Sequence, residues 1–312
     1  MNLHPFRAPV SRRLLLKTGV TLAAGFAAPS LFANATEAQR MRAIPSTGEQ
    51  LPMMGLGTYQ TFDVGTGASA RARVAEVLRD FVADGGKVID SSPMYGRAET
   101  VVGDLAAQVG VANKLFYATK VWTRGREAGI RQMEESMVRM RVKVMDLMQI
   151  HNLVDWQTQI RTLYDWKASG KLRYIGITHY TPHAFDEMQQ IMRTEHIDFV
   201  QVPYNILERT AEQHLLPLAT ERDIAVLVNE PFEKGHLFRQ VRGKSLPSFA
   251  KDFDCTSWAQ YFLKYIMGDP AVTCVIPATS DPKHLADNMG SGRGRLPDAA
   301  QRRQMVDYLR KL

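Results

Sequence analysis

The sequence predicts an α/β fold, a (β/α)8 barrel that spans residues 50–312. Short runs rich in Val, Ile and Leu alternate with helix-like segments along this stretch, which is the pattern of parallel strands joined by helices. The 312-residue chain leaves about 250 residues for one barrel once its N-terminus is set aside. An open, doubly wound sheet is the competing fold, but its G-x-G-x-x-G fingerprint after the first strand is absent.

Residues 1–35 have the pattern of a cleavable export signal. Arg12 and Arg13 precede an apolar, alanine-rich run over 18–32, and the run ends in a small-x-small cleavage site at 33–35. The adjacent arginines resemble a twin-arginine signal, which exports folded proteins. We therefore expect the twin-arginine export machinery as a partner and the periplasm as the location. Because the apolar run is shorter than the ~20 residues of a membrane span, we expect this segment to be cleaved rather than to act as an anchor. No stable span is expected in the mature chain.

The charge of the chain does not indicate nucleic-acid binding. The formal net charge is +7, from 39 basic and 32 acidic residues, but four of the basic residues and none of the acidic ones precede Ala35. The rest of the chain therefore has 35 basic against 32 acidic residues, a balance of +3 that is too weak for a phosphate-binding groove. The sequence contains no cysteine and histidine spacing typical of a zinc site and no Walker loop, so we expect no metal site. We also expect the protein to be a monomer.

The first elements follow a linker predicted for residues 36–49, where no periodicity is present. The first strand is expected within 51–59. The helix predicted for 71–83 has Val74, Leu78 and Phe81 on one face. A β-branched run at 87–90 is the second strand, and Pro93 and Gly96 then force a loop before helical spacing resumes at 98–108.

The later elements continue the alternation. Gly170 is the expected stop of one helix, and the methionines spaced along 127–140 indicate packing rather than a metal site. Further strands are predicted at 115–121, 142–150, 172–178, 199–202, 224–228 and 272–276, and further helices at 127–140, 156–168, 185–192, 211–221 and 258–267.

Polar residues follow several of the predicted strands. Asp90 ends the second strand, Tyr95 lies in the loop after it, and Lys120 and His151 lie at the ends of the third and fourth strands. In a (β/α)8 barrel the carboxyl ends of the strands surround one site, so these four side chains are expected to converge there.

In type and order these residues resemble the catalytic tetrad of the aldo-keto reductase superfamily. The resemblance covers residues 50–312, including an N-terminal flap that leads into the first strand. It implies an oxidoreductase that reduces an aldehyde or ketone to an alcohol by hydride transfer, with Tyr95 as general acid. Lys120 is expected to lower the ordinary pKa of about 10 of the phenol, Asp90 to keep Lys120 charged, and His151 to orient the carbonyl oxygen.

The resemblance also implies a nicotinamide cofactor, which we expect to be NADP(H), with NAD(H) left open. It assigns cofactor contacts to residues after several strands, namely Gly57, Thr58, Thr178, Gln201, Thr279 and Asn288. This chain departs from the family pattern at Asn229, where an aromatic residue commonly stacks on the nicotinamide. It departs again at Ala278 and His284, where NADP-preferring members often carry Lys and Arg, and Lys283 is the candidate substitute.

Substrate contacts are expected from Tyr59, Trp122 and Asn152 on the rim of the barrel, with a small-molecule carbonyl compound as substrate. Two alternatives stay open. The departures from the family pattern favour a non-catalytic, nicotinamide-binding redox sensor on the same barrel. A hydrolase that uses Asp90 and Glu99 as paired carboxylates is a third interpretation.

Overall fold

The computed structural model describes residues 37–312. The predicted signal peptide, residues 1–35, lies outside the described residues. No helix within 37–312 is both long and apolar enough to cross a bilayer.

Eight parallel strands form the central sheet, and this arrangement confirms the predicted barrel. Their order in the sheet is their order in the chain, and isolated parallel bridges from Met54 to Val275 and from Gly57 to Ala278 join its two edges. The strands are β3 (Leu56–Gly57), β4 (Val88–Asp90), β5 (Phe116–Val121), β6 (Met145–His151), β7 (Leu172–Thr178), β8 (Phe199–Pro203), β9 (Ala225–Asn229) and β10 (Val272–Val275), preceded by a hairpin of β1 (Met41–Ala43) and β2 (Gln50–Pro52).

Helices alternate with these strands and cover the barrel. Their ranges are α1 (Ala68–Ala83), α2 (Ala98–Gln108), α3 (Arg126–Met140), α4 (Trp156–Ala168), α5 (Phe185–Thr194), α6 (Leu215–Glu221), α7 (His236–Gln240), α8 (Trp258–Met267), α9 (Pro282–Ser291) and α10 (Ala299–Leu309).

Most predicted elements coincide with observed ones, and α2, α4, α8 and β7 have the predicted bounds. Helices α7, α9 and α10 have no predicted counterpart. The five residues of α7 are too few to show a helical period. The other two carry start signals that were available in the sequence, namely Asp281 before Pro282 in α9 and the capping box of Asp298 and Gln301 in α10.

The expectation of a linker over 36–49 was wrong in part, because β1 lies within it and pairs with β2. Ile44 and Leu51 of this hairpin are buried among residues that begin the barrel strands, such as Phe116 and Phe199. Thr47 lies 2.9 Å from the Tyr174 hydroxyl. The hairpin therefore closes the amino-terminal end of the barrel, and three-residue strands held by tertiary contacts leave no periodicity in the sequence.

The interior of the barrel changes from apolar to polar along its axis. Alternate residues of a strand face the same side, so β5 points Phe116, Ala118 and Lys120 inward. Strand β6 does the same with Leu147 and Gln149. The apolar residues lie towards the hairpin and the polar residues lie at the carboxyl ends, where the predicted site is.

Two glycines permit close approaches that the fold requires. A Cβ on Gly57 would lie 2.7 Å from the Ile276 carbonyl oxygen, where the first and last barrel strands meet. A Cβ on Gly103 in α2 would lie 2.1 Å from the Arg139 carbonyl oxygen of α3. In both cases the obstacle is backbone, which cannot swing aside.

The variant Gly103→Ala should lower the free energy of unfolding by about 1–3 kcal/mol, because α2 and α3 must move apart to admit the methyl group. Urea denaturation measures the change. Gly67→Ala is the matched control, since Gly67 has φ −59 and no atom lies within 4 Å of the place that its methyl group would take. The control should stay within about 0.5 kcal/mol of the wild type. Equal losses in the two variants would contradict the packing argument.

Candidate active site

The structure brings Asp90, Tyr95, Lys120 and His151 together at the carboxyl ends of neighbouring strands. Asp90 and His151 are the last residues of β4 and β6, and Lys120 is the next to last residue of β5. Tyr95 lies in the loop between β4 and α2. Strand pairing holds these positions side by side, because Asp90 is in register with Ala118 on β5.

Lys120 and Asp90 form a buried ion pair. The Lys120 Nζ donates to Asp90 Oδ2 at 2.6 Å and to the Ser91 carbonyl oxygen at 2.6 Å. The two side chains are 0% and 4% exposed. Burial lowers the pKa of Lys120, and the attraction of Asp90 opposes this change. The carboxylate is therefore what favours an ammonium at this depth.

Two amides hold the other carboxylate oxygen of Asp90, and sequence reasoning did not assign them this role. Gln149 and Gln201 donate from their Nε2 atoms to Asp90 Oδ1 at 3.1 and 3.0 Å. Gln149 was not a predicted site residue. The available signal was a polar residue two positions before His151, a spacing that places both side chains on the inward face of the strand.

Tyr95 lies against both partners that were predicted for it. Its ring centroid is 5.2 Å from Lys120 Nζ and 5.9 Å from the His151 ring centroid. The net change of the Tyr95 pKa is opposite to the direction that was expected from Lys120. Burial raises the pKa of Tyr95, with further contributions from Asp90, Tyr59 and Glu230. Since Asp90 balances the charge of Lys120, desolvation prevails and the phenol keeps its proton at neutral pH.

His151 is a neutral imidazole in this site. Burial lowers the pKa of His151 to about 2, and the charges of Lys120 and His179 act in the same direction. The Nδ1 atom lies 2.9 Å from the Ser92 hydroxyl oxygen. Ser92 was also not predicted as a site residue, because nothing in its sequence position shows that it reaches a strand 59 residues away.

Gly57 and Thr58, predicted to contact the cofactor, have structural partners. The Gly57 amide donates to the Pro277 carbonyl oxygen at 3.0 Å, which is part of barrel closure. The Thr58 hydroxyl lies 2.9 Å from the Asp90 carbonyl oxygen and 3.0 Å from the Ser91 hydroxyl. These contacts join the first strand to the strand that carries Asp90.

Thr178 and Gln201 belong to the network around Asp90. Thr178 donates to Gln201 Oε1 at 3.1 Å, and Asn229 donates to the same oxygen at 3.4 Å. Both Nε2 hydrogens of Gln201 have protein acceptors, since Gln149 Oε1 lies at 3.3 Å in addition to Asp90. The side-chain amide of Gln201, a predicted cofactor contact, is thus engaged within the protein, where it positions Asp90.

Thr279 and Asn288 lie beyond the last strand, and within the described part of the chain their side chains make no hydrogen bond to the tetrad. Thr279 is buried and accepts a hydrogen bond from the Asp281 amide at 3.1 Å. Asn288 is buried within α9. Lys283 and His284, in the first turn of that helix, are exposed.

The predicted substrate residues lie around Tyr95 and His151. The Tyr59 ring is 4.9 Å from the Tyr95 ring, and the Trp122 ring is 6.3 Å from the His151 ring. Tyr59 is 50% exposed and Trp122 is 42% exposed, so both present apolar surface at the mouth of the site. Asn152 directly follows His151 with φ 53.

Two unpaired acceptors suit a group with amide N–H donors. The Oδ1 atoms of Asn152 and Asn229 are buried without a hydrogen-bond partner among residues 37–312. Both lie at the carboxyl ends of strands, in the predicted site. A nicotinamide carboxamide has such donors, so these residues fit the cofactor. Within the same part of the chain, no group of three His, Cys, Asp or Glu residues could hold a metal ion.

The structure separates the two carboxylates of the hydrolase interpretation. Glu99 accepts from the Thr119 hydroxyl at 2.6 Å and pairs with Arg139 at 3.2 Å. Thr119 precedes the inward-facing Lys120, so it points to the outer face of the barrel. Glu99 is thus held outside the barrel, whereas Asp90 lies inside it.

Comparisons with known proteins agree with this architecture. Aldo-keto reductase YhdN of Bacillus subtilis is 26% identical over 200 residues, which are 59% of this chain and 60% of that protein. Methylglyoxal reductase YeaE of Escherichia coli is 26% identical over 245 residues, 76% of this chain and 84% of that protein. A solved aldo/keto reductase from Klebsiella pneumoniae, in complex with NADP and acetate, has a TM-score of 0.72 and 23% identity, covering 84% of this chain and 93% of that one.

The sequence profile of the aldo/keto reductase family matches residues 53–303 of this chain. This match spans the barrel from the residues before β3 to α10. The protein is therefore a member of the aldo/keto reductase family, a family of NAD(P)-dependent oxidoreductases.

Proposed function

We propose that this protein reduces an aldehyde or ketone to an alcohol with NADP(H), using Tyr95 as the general acid. One observation carries the proposal: a partly buried phenol lies 5.2 Å, measured to its ring centroid, from a buried ammonium that is paired with a carboxylate at 2.6 Å. A neutral imidazole lies beside the same phenol. This group of side chains suits proton donation to an oxygen that gains negative charge.

Asn229 is the residue proposed to accept a hydrogen bond from the carboxamide of NADP(H), through its unpaired Oδ1. Lys283 and His284, exposed at the start of α9, are proposed to contact the phosphate of the adenosine end. When bound, NADP(H) would supply the hydride, because no side chain can do so. NAD(H) stays open as the alternative cofactor.

The residues of the chain supply the proton and orient the substrate. Tyr95 holds a proton on its phenolic oxygen and can transfer it to the carbonyl oxygen. The Lys120 ammonium favours the phenolate that this transfer leaves, since a positive charge stabilises an adjacent negative one. His151, being neutral, can hold the carbonyl oxygen by a hydrogen bond without adding a charge that would repel Lys120.

The proposed substrates are carbonyl compounds with an apolar portion. Tyr59 and Trp122 flank the mouth of the site and are exposed by about half of their surface. Asn152, which directly follows His151, is the polar residue proposed to lie beside these aromatics. The name of the Escherichia coli relative, a methylglyoxal reductase, supports a small aldehyde as the first compound to test.

A non-catalytic, nicotinamide-binding redox sensor is the second candidate. It is favoured by the departures from the family pattern at Asn229, Ala278 and His284. The two candidates differ in turnover, because a sensor binds NADPH and reduces no carbonyl compound.

We also propose that the protein is exported through its N-terminal segment, because Arg12 and Arg13 precede an apolar run and a small-x-small site. A fusion of residues 1–35 to a folded reporter should reach the periplasm of a bacterium with a twin-arginine system. The double change Arg12→Lys and Arg13→Lys should keep the reporter in the cytoplasm, as measured by cell fractionation. Equal export of both fusions would contradict the proposed route.

The variant Tyr95→Phe should lower kcat for the reduction of methylglyoxal by a factor of about 10²–10⁴, because it removes the proton donor. Its Kd for NADPH, measured by fluorescence, should be unchanged. Tyr117→Phe is the matched control, since Tyr117 is on the same barrel but its hydroxyl donates to the Ala112 carbonyl oxygen. A wild type that binds NADPH and reduces no member of an aldehyde panel would support the sensor instead.

The rate of carbonyl reduction should show no pH dependence from the titration of His151 near 6.5, the ordinary pKa of histidine. The pKa of His151 is lowered to about 2 and the pKa of Tyr95 is raised, so neither group changes its protonation between about pH 5 and 9. Only Lys120, whose pKa burial lowers, is expected to lose its proton and with it activity as the pH rises. Steady-state kcat/KM, corrected for acid decay of NADPH, tests this. An acidic limb near pH 6.5 that disappears in His151→Gln would contradict it.

A further inference from the structure

The Ser92 hydroxyl connects the turn that carries Tyr95 with the imidazole of His151. Ser92 is fully buried, and its Oγ lies 2.9 Å from His151 Nδ1. The backbone N–H of Met94 donates to the same Oγ at 3.3 Å, and the backbone N–H of Tyr95 donates to the Ser92 carbonyl oxygen at 3.0 Å. One residue therefore contacts both predicted donors to the substrate oxygen, although it has no assigned role.

The direction of the hydrogen bond between Ser92 and His151 follows from the partners of the hydroxyl. A hydroxyl group has one proton and two lone pairs, and the Met94 N–H already uses a lone pair of Ser92 Oγ. Among the described residues, this hydroxyl has a single acceptor within hydrogen-bond distance, His151 Nδ1. If Nδ1 carried the proton instead, the Ser92 O–H would be left without that acceptor, which is unfavourable for a fully buried hydroxyl. Ser92 is therefore the donor.

A neutral imidazole that accepts at Nδ1 carries its single proton on Nε2. We propose that Ser92 is a positioning residue that fixes His151 in the Nε2-protonated tautomer, so that its Nε2–H donates to the carbonyl oxygen of the substrate. The part concerning the substrate rests on the proposed reductase function, whereas the tautomer does not. The opposite tautomer would direct the Nε2 lone pair at the carbonyl oxygen and repel it.

The tautomer is measured directly in the wild-type protein by a long-range ¹H–¹⁵N correlation spectrum with ¹⁵N-histidine labelling. His151→Asn assigns the resonances by their loss. We expect a pyridine-type Nδ1 and a pyrrole-type Nε2 for His151, with or without NADPH. A pyrrole-type Nδ1, or averaged shifts that show two tautomers, would overturn the proposal. This measurement needs no substrate, so a protein without reductase activity still gives a result.

Variants of Ser92 test the consequence for catalysis. Ser92→Ala should average the His151 nitrogen shifts and lower kcat about ten- to a hundredfold. This loss is smaller than the roughly 10²–10³ of removing an oxyanion donor, because the imidazole is still present. The KM for methylglyoxal and the Kd for NADPH should change less than about threefold, since the lost interaction acts on the transition state. Ser92→Thr, which keeps the hydroxyl, should restore the shifts and the rate.

The matched control is Ser136→Ala, because Ser136 lies in α3, is also fully buried, and has no hydrogen-bond partner for its hydroxyl among residues 37–312. It should leave the His151 spectrum and kcat unchanged. A loss of kcat in Ser92→Ala with an unchanged His151 spectrum would show a general packing effect and overturn the positioning role. If Ser92→Ala does not fold, the wild-type spectrum alone decides the tautomer.

Discussion

The buried ion pair of Lys120 and Asp90 is the interaction on which the site depends. An unpaired ammonium at 0% exposure would lose its proton, and removing one partner of such a pair costs about 3–5 kcal/mol. The protein therefore surrounds the pair with neutral hydrogen-bond partners. Gln149 and Gln201 hold Asp90, and the Ser91 carbonyl oxygen holds Lys120, so four strands of the barrel contribute to one charge-balanced network.

This network sets the protonation states of Tyr95 and His151, the two side chains proposed to face the substrate. Because Asp90 balances Lys120, the phenol of Tyr95 experiences burial more strongly than the positive charge and keeps its proton. The imidazole of His151 stays neutral because it is buried, with the Lys120 charge adding to the cost of protonation. In the proposed reaction both groups serve as hydrogen-bond donors to the carbonyl oxygen, where negative charge develops.

The residues that stabilise the barrel and the polar residues of the candidate site lie at opposite ends of its axis. The hairpin of β1 and β2 closes one end with Ile44 and Leu51 against an apolar interior. The polar layer lies at the other end, where loops can vary without disturbing this core. The rim aromatics Tyr59 and Trp122 are part of those loops and remain half exposed, so the surface proposed to contact the substrate is distinct from the buried residues that hold the charge.

The sequence by itself determined the barrel and the positions of Asp90, Tyr95, Lys120 and His151 at its strand ends. Both follow from local patterns, because apolar runs and their breaks mark where strands end and the carboxyl ends of parallel strands meet. Only the tertiary structure decided the partners of these residues. The hydrogen bonds from Gln149 and Gln201 to Asp90 span 59 and 111 residues of chain. The contact between Ser92 and His151 spans 59 residues. No spacing rule predicts such contacts. The direction of the pKa change of Tyr95 was likewise beyond the sequence, since it depends on the depth of the phenol and on how closely Asp90 balances Lys120. Secondary structure depends on residues that are neighbours in the sequence, whereas desolvation and charge balance arise only when distant strands pack together.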